Sequence, residues 1–278
     1  GRRNLMAHSL EKRWGYLGVL RAWPVAALII LHVLIAVGVL SLPGMRTPGY
    51  LSALALGFIL LFTAPILGLL LPLEVTLRRE LITVGIGVGA LVLPPFLYTA
   101  LNSFSEPVCA PGLALSFWLV GPVFGASYGV ALGVFVRRQP WIRLGSGRVL
   151  LLLFILGGNI LWHLYRLYVE PAVYLYHPIV GYLAGPIYET NPGVEAAFLF
   201  HRLWWMGAFP LLFSSWIPRR RFWLVVASLW LLCGFSFRSS LGFDIGRSAI
   251  VEKLDEVREG RFVVLHAESG WYRPEELE

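Results

Sequence analysis

Apolar residues are concentrated in seven blocks, separated by short polar or Pro/Gly-rich stretches. The blocks cover roughly residues 23–42, 51–71, 81–101, 112–136, 149–169, 196–217 and 222–237. A helix needs about 20 apolar residues to cross a hydrocarbon core of about 30 Å, and most of the blocks have that length. The pattern therefore predicts an all-α polytopic membrane protein with about seven transmembrane helices within residues 24–237.

The positively charged residues predict the orientation of these helices, because cytoplasmic loops retain Lys and Arg. One side holds fourteen of them, whereas the short loops of the other side hold only Arg46. The fourteen lie in residues 1–23, 72–80, 137–148 and 219–221. We expect the basic, partly amphipathic segment 1–23 to be cytoplasmic. The aromatic loop 170–195 and the tail 238–278 are then predicted to lie outside.

The composition excludes a water-soluble globular protein. Hydrophobic residues make up 57% of the chain and charged residues 14%, which leaves too little polar surface to cover a globule in water. The net charge of +7 is divided among short clusters between the apolar blocks. That arrangement sets membrane topology and attracts anionic lipid. The lipid bilayer is therefore the predicted partner, and nucleic acid is not.

The fourth apolar block carries a stripe of glycines at every fourth position: Gly121, Gly125, Gly129 and Gly133. Such a smooth helix face lets another helix backbone approach closely. We favour packing inside the protein's own bundle, with the glycines of residues 85–89 as the facing surface. The alternative is an interface with another membrane subunit or with a second copy in a homo-oligomer.

His32 lies near the middle of the first apolar block and has no charged neighbour. An imidazole there is a possible ligand for the metal of a haem or a chlorophyll. A single histidine without a second ligand at similar depth is weak support for such a cofactor. The favoured interpretation is a neutral ring hydrogen-bonded to another helix, and the sequence indicates no other cofactor.

A polar cluster is predicted between the fifth and sixth blocks. Its members are His163, Arg166, Glu170, His177, Glu189, Glu195, His201 and Arg202. Arg166 and Glu170 have the spacing of a helical ion pair. An arginine inside the apolar region costs about 2.5–3.5 kcal/mol and needs a partner, for which the glutamates are available. We favour a structural salt-bridge network over a metal or catalytic site, because no HExxH or HxH spacing is present. The aromatic residues of 171–189 are expected at the outer interface, either as a belt or as a short re-entrant cap.

The tail, residues 238–278, differs from the rest because it holds six basic and nine acidic residues and is typical of a water-soluble segment. A helix is predicted from a Ser248 cap to about Arg258, followed by a strand at 261–266. One helix and one strand cannot bury a core. The tail is therefore expected to begin a further domain or to dock on a partner.

Short stretches within about residues 80–278 carry a family resemblance. They are residues 100–102, Cys109 with 111–113, 121–123 with 128–129, 177–189, 240–243 with 247–248, and 259–266. Together they resemble the membrane region of a bacterial membrane protein family that carries an extracytoplasmic gluzincin-like (zinc metallopeptidase-like) domain. The resemblance implies a location in the bacterial cytoplasmic (inner) membrane, and it relates residues 259–266 to the first strand of that domain. The HExxH motif does not occur in this chain, so no catalytic residue is carried over.

Three functions remain. The first is a membrane anchor or scaffold with an outward C-terminal part that is peptidase-like, as the resemblance implies. The second is a non-catalytic accessory subunit that stabilises a larger photosynthetic or respiratory complex. The third is a transporter, which the lack of acidic residues within the spans and of an inverted repeat disfavours. No catalytic motif is found in the chain itself.

Overall fold

The computed structural model describes residues 23–72, 76–106, 108, 110–139, 142, 145–169, 175–183, 196–212, 220–238, 240–241, 256–259 and 264–267. It is mostly helical, and five helices are long and apolar enough to cross a membrane. They are α1 (Trp23–Leu40), α2 (Tyr50–Leu70), α3 (Leu77–Asn102), α4 (Pro111–Arg137) and α5 (Gly145–Val169). Their bounds match the first five apolar blocks closely. The predicted amphipathic segment up to residue 22 lies outside the described residues.

The sixth and seventh blocks contain shorter helices. They are α6 (Ala196–Met206), α7 (Phe209–Leu212) and α8 (Arg220–Ser236). The sixth block is interrupted at Gly207 and Ala208, and the next turn contains Pro210, whose nitrogen cannot donate a helical hydrogen bond. Among the described residues, therefore, five helices reach the length of a membrane span, and the count of seven stays a prediction.

The tail forms a two-stranded antiparallel hairpin of β3 (Glu256–Glu259) and β4 (Val264–Ala267). The strand predicted at 261–266 overlaps β4. The helix predicted to reach Arg258 is wrong at its end, because residues 256–258 belong to β3. Pairing with β4 outweighs the helical spacing of the apolar residues there, since cross-strand contacts readily override local propensity.

The first four helices alternate in direction. At one end of the bundle, Arg46 in the loop after α1 lies 3.6 Å from Glu106 in the loop after α3. At the other end, Glu80 near the start of α3 lies 3.0 Å from Arg138, just after α4. These two pairs place the loops as an up-and-down bundle requires.

Helices α2 and α4 form the core of the bundle and approach each other backbone to backbone. A Cβ atom added to Gly68 would overlap the carbonyl oxygen of Val130, and one added to Gly133 would overlap that of Pro65. Close packing of small residues is a main source of helix association in membranes, where apolar burial alone gives little. The glycines therefore set the distance between these two helices.

Helix α4 contains one π-helical turn, Leu119–Val123, between α-helical segments. Pro122 lies inside this turn. It has no N–H, and its ring would clash with the carbonyl of Trp118 in a regular helix. Such a bulge inserts an extra residue into the helix. Gly121 therefore falls out of line with the glycines that follow it, and a Cβ there would have no atom within 4 Å.

Two tryptophans join α6 to α8. The indole N–H of Trp204 donates to the carbonyl oxygen of Leu231 at 2.9 Å, and that of Trp230 donates to the carbonyl oxygen of Trp204 at 3.1 Å. The second bond adds to the one that the Trp204 carbonyl oxygen, in the last turn of α6, accepts from the N–H of Gly207 at 3.1 Å. These contacts fix the helix that carries His201 and Arg202.

Candidate functional site

The site is built around a short hairpin of β1 (Leu175–His177) and β2 (Gly181–Leu183), which pair antiparallel. The turn ends at Gly181, whose φ of +116° favours glycine. His177 closes the turn, since its Nδ1 accepts hydrogen bonds from the backbone N–H groups of Ile179 (3.0 Å) and Val180 (3.1 Å). Because Nδ1 acts as an acceptor, the proton of the neutral ring is on Nε2.

This hairpin is inserted between helices. A Cβ atom on Gly57 of α2 would overlap the carbonyl oxygen of Val180, and one on Gly125 of α4 would overlap that of Ile179. Residues 176–181 are all buried. The described part of the aromatic loop is therefore a hairpin packed among helices, as the expected re-entrant cap would be, and its depth in a membrane stays a prediction. Irregular backbone is tolerated at membrane depth where protein covers it.

Arg202 of α6 holds the turn of the hairpin from the other side. Its side chain is 4% exposed, and its Nη1 donates to the carbonyl oxygens of His177 (3.3 Å) and Pro178. The guanidinium lies between the rings of Phe124 and Phe198, 4.7 and 4.8 Å from their centroids. A desolvated cation–π contact contributes about 2 kcal/mol or more, which offsets part of the cost of burying the charge.

Three histidines surround β1. The Nε2 atom of His163 lies 3.0 Å from the carbonyl oxygen of Tyr176, and its ring is 4.9 Å from that of His177. The ring of His201 lies 5.4 Å from that of Tyr176, and its Nε2 accepts a hydrogen bond from the indole of Trp205 at 3.0 Å. The histidines therefore position the hairpin through hydrogen bonds and ring contacts.

The electrostatics of the cluster favour neutral histidine at His177. Burial lowers the pKa of His177 to about 3, and electrostatic interaction with His163 and Arg202 acts in the same direction. Its Nε2–H is buried and has no hydrogen-bond partner among the described residues, and the same holds for Nε and Nη2 of Arg202. All three atoms are hydrogen-bond donors, so the cluster presents donors that lack acceptors.

The donor atoms do not fit a metal ion. His177 Nδ1 and His201 Nε2 already accept hydrogen bonds from N–H groups. In the part of the chain that the structure describes, no group of three or more His, Cys, Asp or Glu side chains has the geometry to hold a metal. The described side chains at the hairpin therefore give no support to a metal site there.

The predicted polar cluster is brought together in part. His163, His177, His201 and Arg202 converge on the hairpin. Arg166 belongs to α5, but its side chain lies outside the described residues, as do Glu170, Glu189 and Glu195. The predicted ion pairs of Arg166 and Arg202 with these glutamates therefore stay predictions.

His32 is fully buried in α1 and binds two other helices. Its Nε2 lies 2.9 Å from the carbonyl oxygen of Leu91, and its Nδ1 lies 2.9 Å from the hydroxyl of Thr63. Both ring nitrogens are therefore engaged by protein atoms. This agrees with the hydrogen-bonded interpretation of His32 and leaves neither nitrogen free for a haem or chlorophyll metal.

The glycine stripe contacts segments of this chain at three of its four positions. Gly125 faces the hairpin, Gly133 faces α2, and a Cβ on Gly129 would lie 2.8 Å from Cβ of Ala64 in α2. The facing surface proposed on α3 is wrong. A Cβ added to Gly85 or Gly89 would have no atom within 4 Å, and one added to Gly87 would meet the side chains of Leu67 and Leu71 in α2, not the glycines of α4. Helix α2 supplies the small residues instead, which the spacing of glycines in α3 did not indicate.

Sequence reasoning missed the pair of Glu80 and Arg138. The Glu80 carboxylate is 1% exposed and lies 3.0 Å from the Arg138 guanidinium, which is 17% exposed. A usable signal was present: Glu80 is the acidic residue directly after Arg78 and Arg79, on the side where Arg138 is also predicted. A buried carboxylate requires such a partner.

Comparison with known proteins gives no family for this chain. No protein-family model, no curated protein and no solved structure matches it. The proposed function therefore rests on the geometry. A packed helical bundle is closed by the hairpin, and buried hydrogen-bond donors lie beside the turn of the hairpin.

Proposed function

We propose that this chain is the membrane anchor and scaffold of a bacterial cytoplasmic-membrane protein and supports an extracytoplasmic C-terminal part. The observation that carries the proposal is the re-entrant hairpin. Its turn contacts the backbones of α2 and α4 at Gly57 and Gly125, and Arg202 of α6 binds the turn. Contacts of this kind make one packed unit of three helices, as a fixed support requires.

The proposed topology has seven crossings, with α6–α7 as the sixth and α8 as the seventh. The N-terminus is then cytoplasmic and the tail 238–278 extracytoplasmic. The positive-inside bias supports this orientation. The Arg46–Glu106 pair lies at the end poor in Lys and Arg, while Arg137 and Arg138 lie at the basic end.

The tail is the proposed attachment point for the outward part. An isolated two-stranded hairpin is marginally stable in water, so β3–β4 is suited to join a larger sheet or a partner. The family resemblance of residues 259–266 to the first strand of a gluzincin-like domain supports a peptidase-like outward part.

Deletion of residues 242–278, which keeps Leu241 because that side chain packs against the core, tests the scaffold proposal. The full chain and the deleted chain are purified from native membranes in mild detergent, and copurifying proteins are quantified. We expect the deletion to leave the unfolding midpoint of the bundle unchanged and to remove the stoichiometric partners. Partners retained in full without the tail would contradict attachment through it.

The second candidate, an accessory subunit of a larger membrane complex, is favoured by the exposure of α5. Only 11% of the most apolar 18-residue stretch of α5 is buried, and Phe154 in this helix is 77% exposed. Binding of a partner helix to this face of α5 would depend on the shape of the face. If Leu150→Trp dissociates a complex that survives deletion of the tail, the accessory-subunit function replaces the scaffold.

A further inference from the structure

We propose that Arg202 and the turn of the re-entrant hairpin form an oxyanion-binding site, which accepts the carboxylate or phosphate group of a ligand from the outer side. The site lies where α6 meets the hairpin, beside Gly181 and Phe198. This inference goes beyond the scaffold function, because it assigns a ligand chemistry to the hairpin.

The hydrogen bonding of the guanidinium carries the proposal. Arg202 uses Nη1 for the carbonyl oxygens of His177 and Pro178. Its Nε and Nη2 are buried and have no acceptor among the described residues. These two nitrogens form one edge of the guanidinium, and that edge matches the two oxygens of a carboxylate or phosphate. The half of Arg202 suited to bidentate binding is thus the unpaired half.

The charge of the site points to an anion. Burying an unpaired guanidinium costs several kcal/mol, and the contacts with Phe124 and Phe198 offset only part of it. His177 adds a further unpaired N–H, at Nε2, on the same hairpin. A group of buried donors without acceptors is satisfied by a ligand that offers acceptor atoms and negative charge.

A small cavity lies close to the site. A cavity of about 10 Å³ is lined by Gly181, Phe198 and Tyr50, among others. Nη2 of Arg202 lies 3.6 Å from the position of a Cβ on Gly181, which is one of the residues that line the cavity. A volume of that size holds about one oxygen atom or water, so the second oxygen of a bidentate ligand requires the cavity to widen on binding. Tyr50 is the first residue of α2, at the predicted outer end.

Titration of the full-length wild-type chain in lipid-depleted detergent tests the proposal. The unfolding midpoint and the ¹⁵N–¹H resonances of the arginine Nε groups are followed at constant ionic strength. The probes are phosphatidylglycerol, inorganic phosphate and acetate, with chloride and a glucosyl diacylglycerol as phosphate-free controls. We expect a saturable shift with at least one oxyanion probe and none with the controls. Saturation by phosphatidylglycerol alone identifies a lipid headgroup, whereas saturation by inorganic phosphate or acetate identifies a soluble ligand.

Substitutions assign the effect to Arg202. Arg202→Lys keeps the positive charge and loses the bidentate edge, so we expect binding about tenfold weaker or more. Arg46→Gln, an exposed arginine at the same end of the bundle, is the matched control and should bind as the wild type does. If Arg202→Lys fails to fold, the wild-type resonances still decide, since the ligand must shift a buried arginine Nε–H.

Two results would overturn the proposal. One is the absence of a saturable shift with every oxyanion probe. The other is an internal acceptor: if Glu189→Gln or Glu195→Gln lowers the unfolding midpoint as much as Arg202→Lys, and the double variant lowers it no further, the partner of Arg202 is this chain's own carboxylate.

Discussion

The Nε2 atom of His32 lies 2.9 Å from the carbonyl oxygen of Leu91, the carbonyl that Pro95 leaves without a helical donor. A regular helix would pair the N–H of residue 95 with that oxygen, but proline has no N–H. His32 of α1 therefore supplies from another helix the hydrogen bond that α3 cannot make itself. A carbonyl only accepts, so Nε2 donates to Leu91. The Thr63 hydroxyl, 2.9 Å from Nδ1, also lies 3.0 Å from the carbonyl oxygen of Ile59 and has one proton for the two contacts.

This relationship predicts an energetic coupling between His32 and Pro95. His32→Leu should lower the free energy of unfolding in detergent by about 1–2 kcal/mol, because it leaves the Leu91 carbonyl unpaired. In a Pro95→Ala chain the backbone can pair that carbonyl, so the same exchange should cost about 1 kcal/mol less. Pro94→Ala restores a donor to Ala90 instead and serves as the control. If His32→Leu lowers the free energy of unfolding equally in the wild-type, Pro95→Ala and Pro94→Ala chains, the hydrogen bond to Leu91 does not contribute to stability.

The close contact of the hairpin turn with α2 and α4 predicts that Gly→Ala substitutions lower stability at some positions and not at others. Gly57→Ala and Gly125→Ala place a Cβ against the carbonyl oxygens of the hairpin turn, and each should destabilise the protein by about 1–3 kcal/mol. Gly121→Ala, which meets no atom within 4 Å, is the matched control and should be neutral.

A second measurement locates the effect of these glycine exchanges. Val180→Cys, in a chain whose Cys109 and Cys233 are replaced by serine, should react slowly with maleimide and become reactive when Gly57→Ala is added. Unchanged protection of Cys at position 180 would mean that the hairpin is not displaced.

The two ion pairs of the bundle are predicted to contribute very different amounts to the stability of the protein. The Glu80–Arg138 pair is buried on the carboxylate side, whereas both partners of the Arg46–Glu106 pair are about half exposed. Glu80→Gln should therefore lower the free energy of unfolding by about 3 kcal/mol, since it leaves a partly buried charge uncompensated. Glu106→Gln should cost at most about 1 kcal/mol. Chemical unfolding in mixed micelles measures both, and similar costs would refute the assignment of Glu80 to the packed interior.

The neutral state of His177 predicts a pH dependence. The pKa of His177 is about 3 in the folded protein, against 6.5 for an unperturbed histidine. The folded state therefore binds fewer protons between these values. The contribution of His177 is complete above pH 6.5 and is lost as the pH falls, at about 1.4 kcal/mol per pH unit.

His177→Asn isolates this contribution, because the Asn oxygen can still accept from the turn N–H groups while the side chain does not titrate. The free energy of unfolding is measured at pH 7.5 and pH 5.5 for both proteins. We expect the loss on acidification to be about 1 kcal/mol smaller in the variant. Equal losses would mean that His177 is not held neutral by the fold.

The five long helices could be predicted to within a few residues, because block length and apolarity report directly on membrane spans. The sixth block shows the limit of that signal. It has the length of a span, yet α6 ends at Met206, since Gly207 and Pro210 interrupt helical hydrogen bonding. Block length indicates a possible span, and the local backbone chemistry decides whether the block remains one helix.

The candidate site was predicted as a group of residues but not as a geometry. The insertion depth of the hairpin depends on Gly57 and Gly125, which are far apart in sequence, and no local pattern relates them to the turn. The hydrogen bond between His32 and Leu91 could not be predicted from the sequence either. The two prolines predicted that backbone carbonyls of α3 would be free, but the partner on α1 became visible only when the helices were placed side by side.

The most direct test of the outward-facing scaffold is the accessibility of single cysteines in right-side-out membrane vesicles. Ser105→Cys, Gln139→Cys and Ser240→Cys, each in a chain without the native cysteines, are treated with a membrane-impermeant maleimide. The account predicts labelling at positions 105 and 240 from outside, and labelling at 139 only after permeabilisation. Labelling at position 240 only after permeabilisation would place the tail in the cytoplasm and contradict the account.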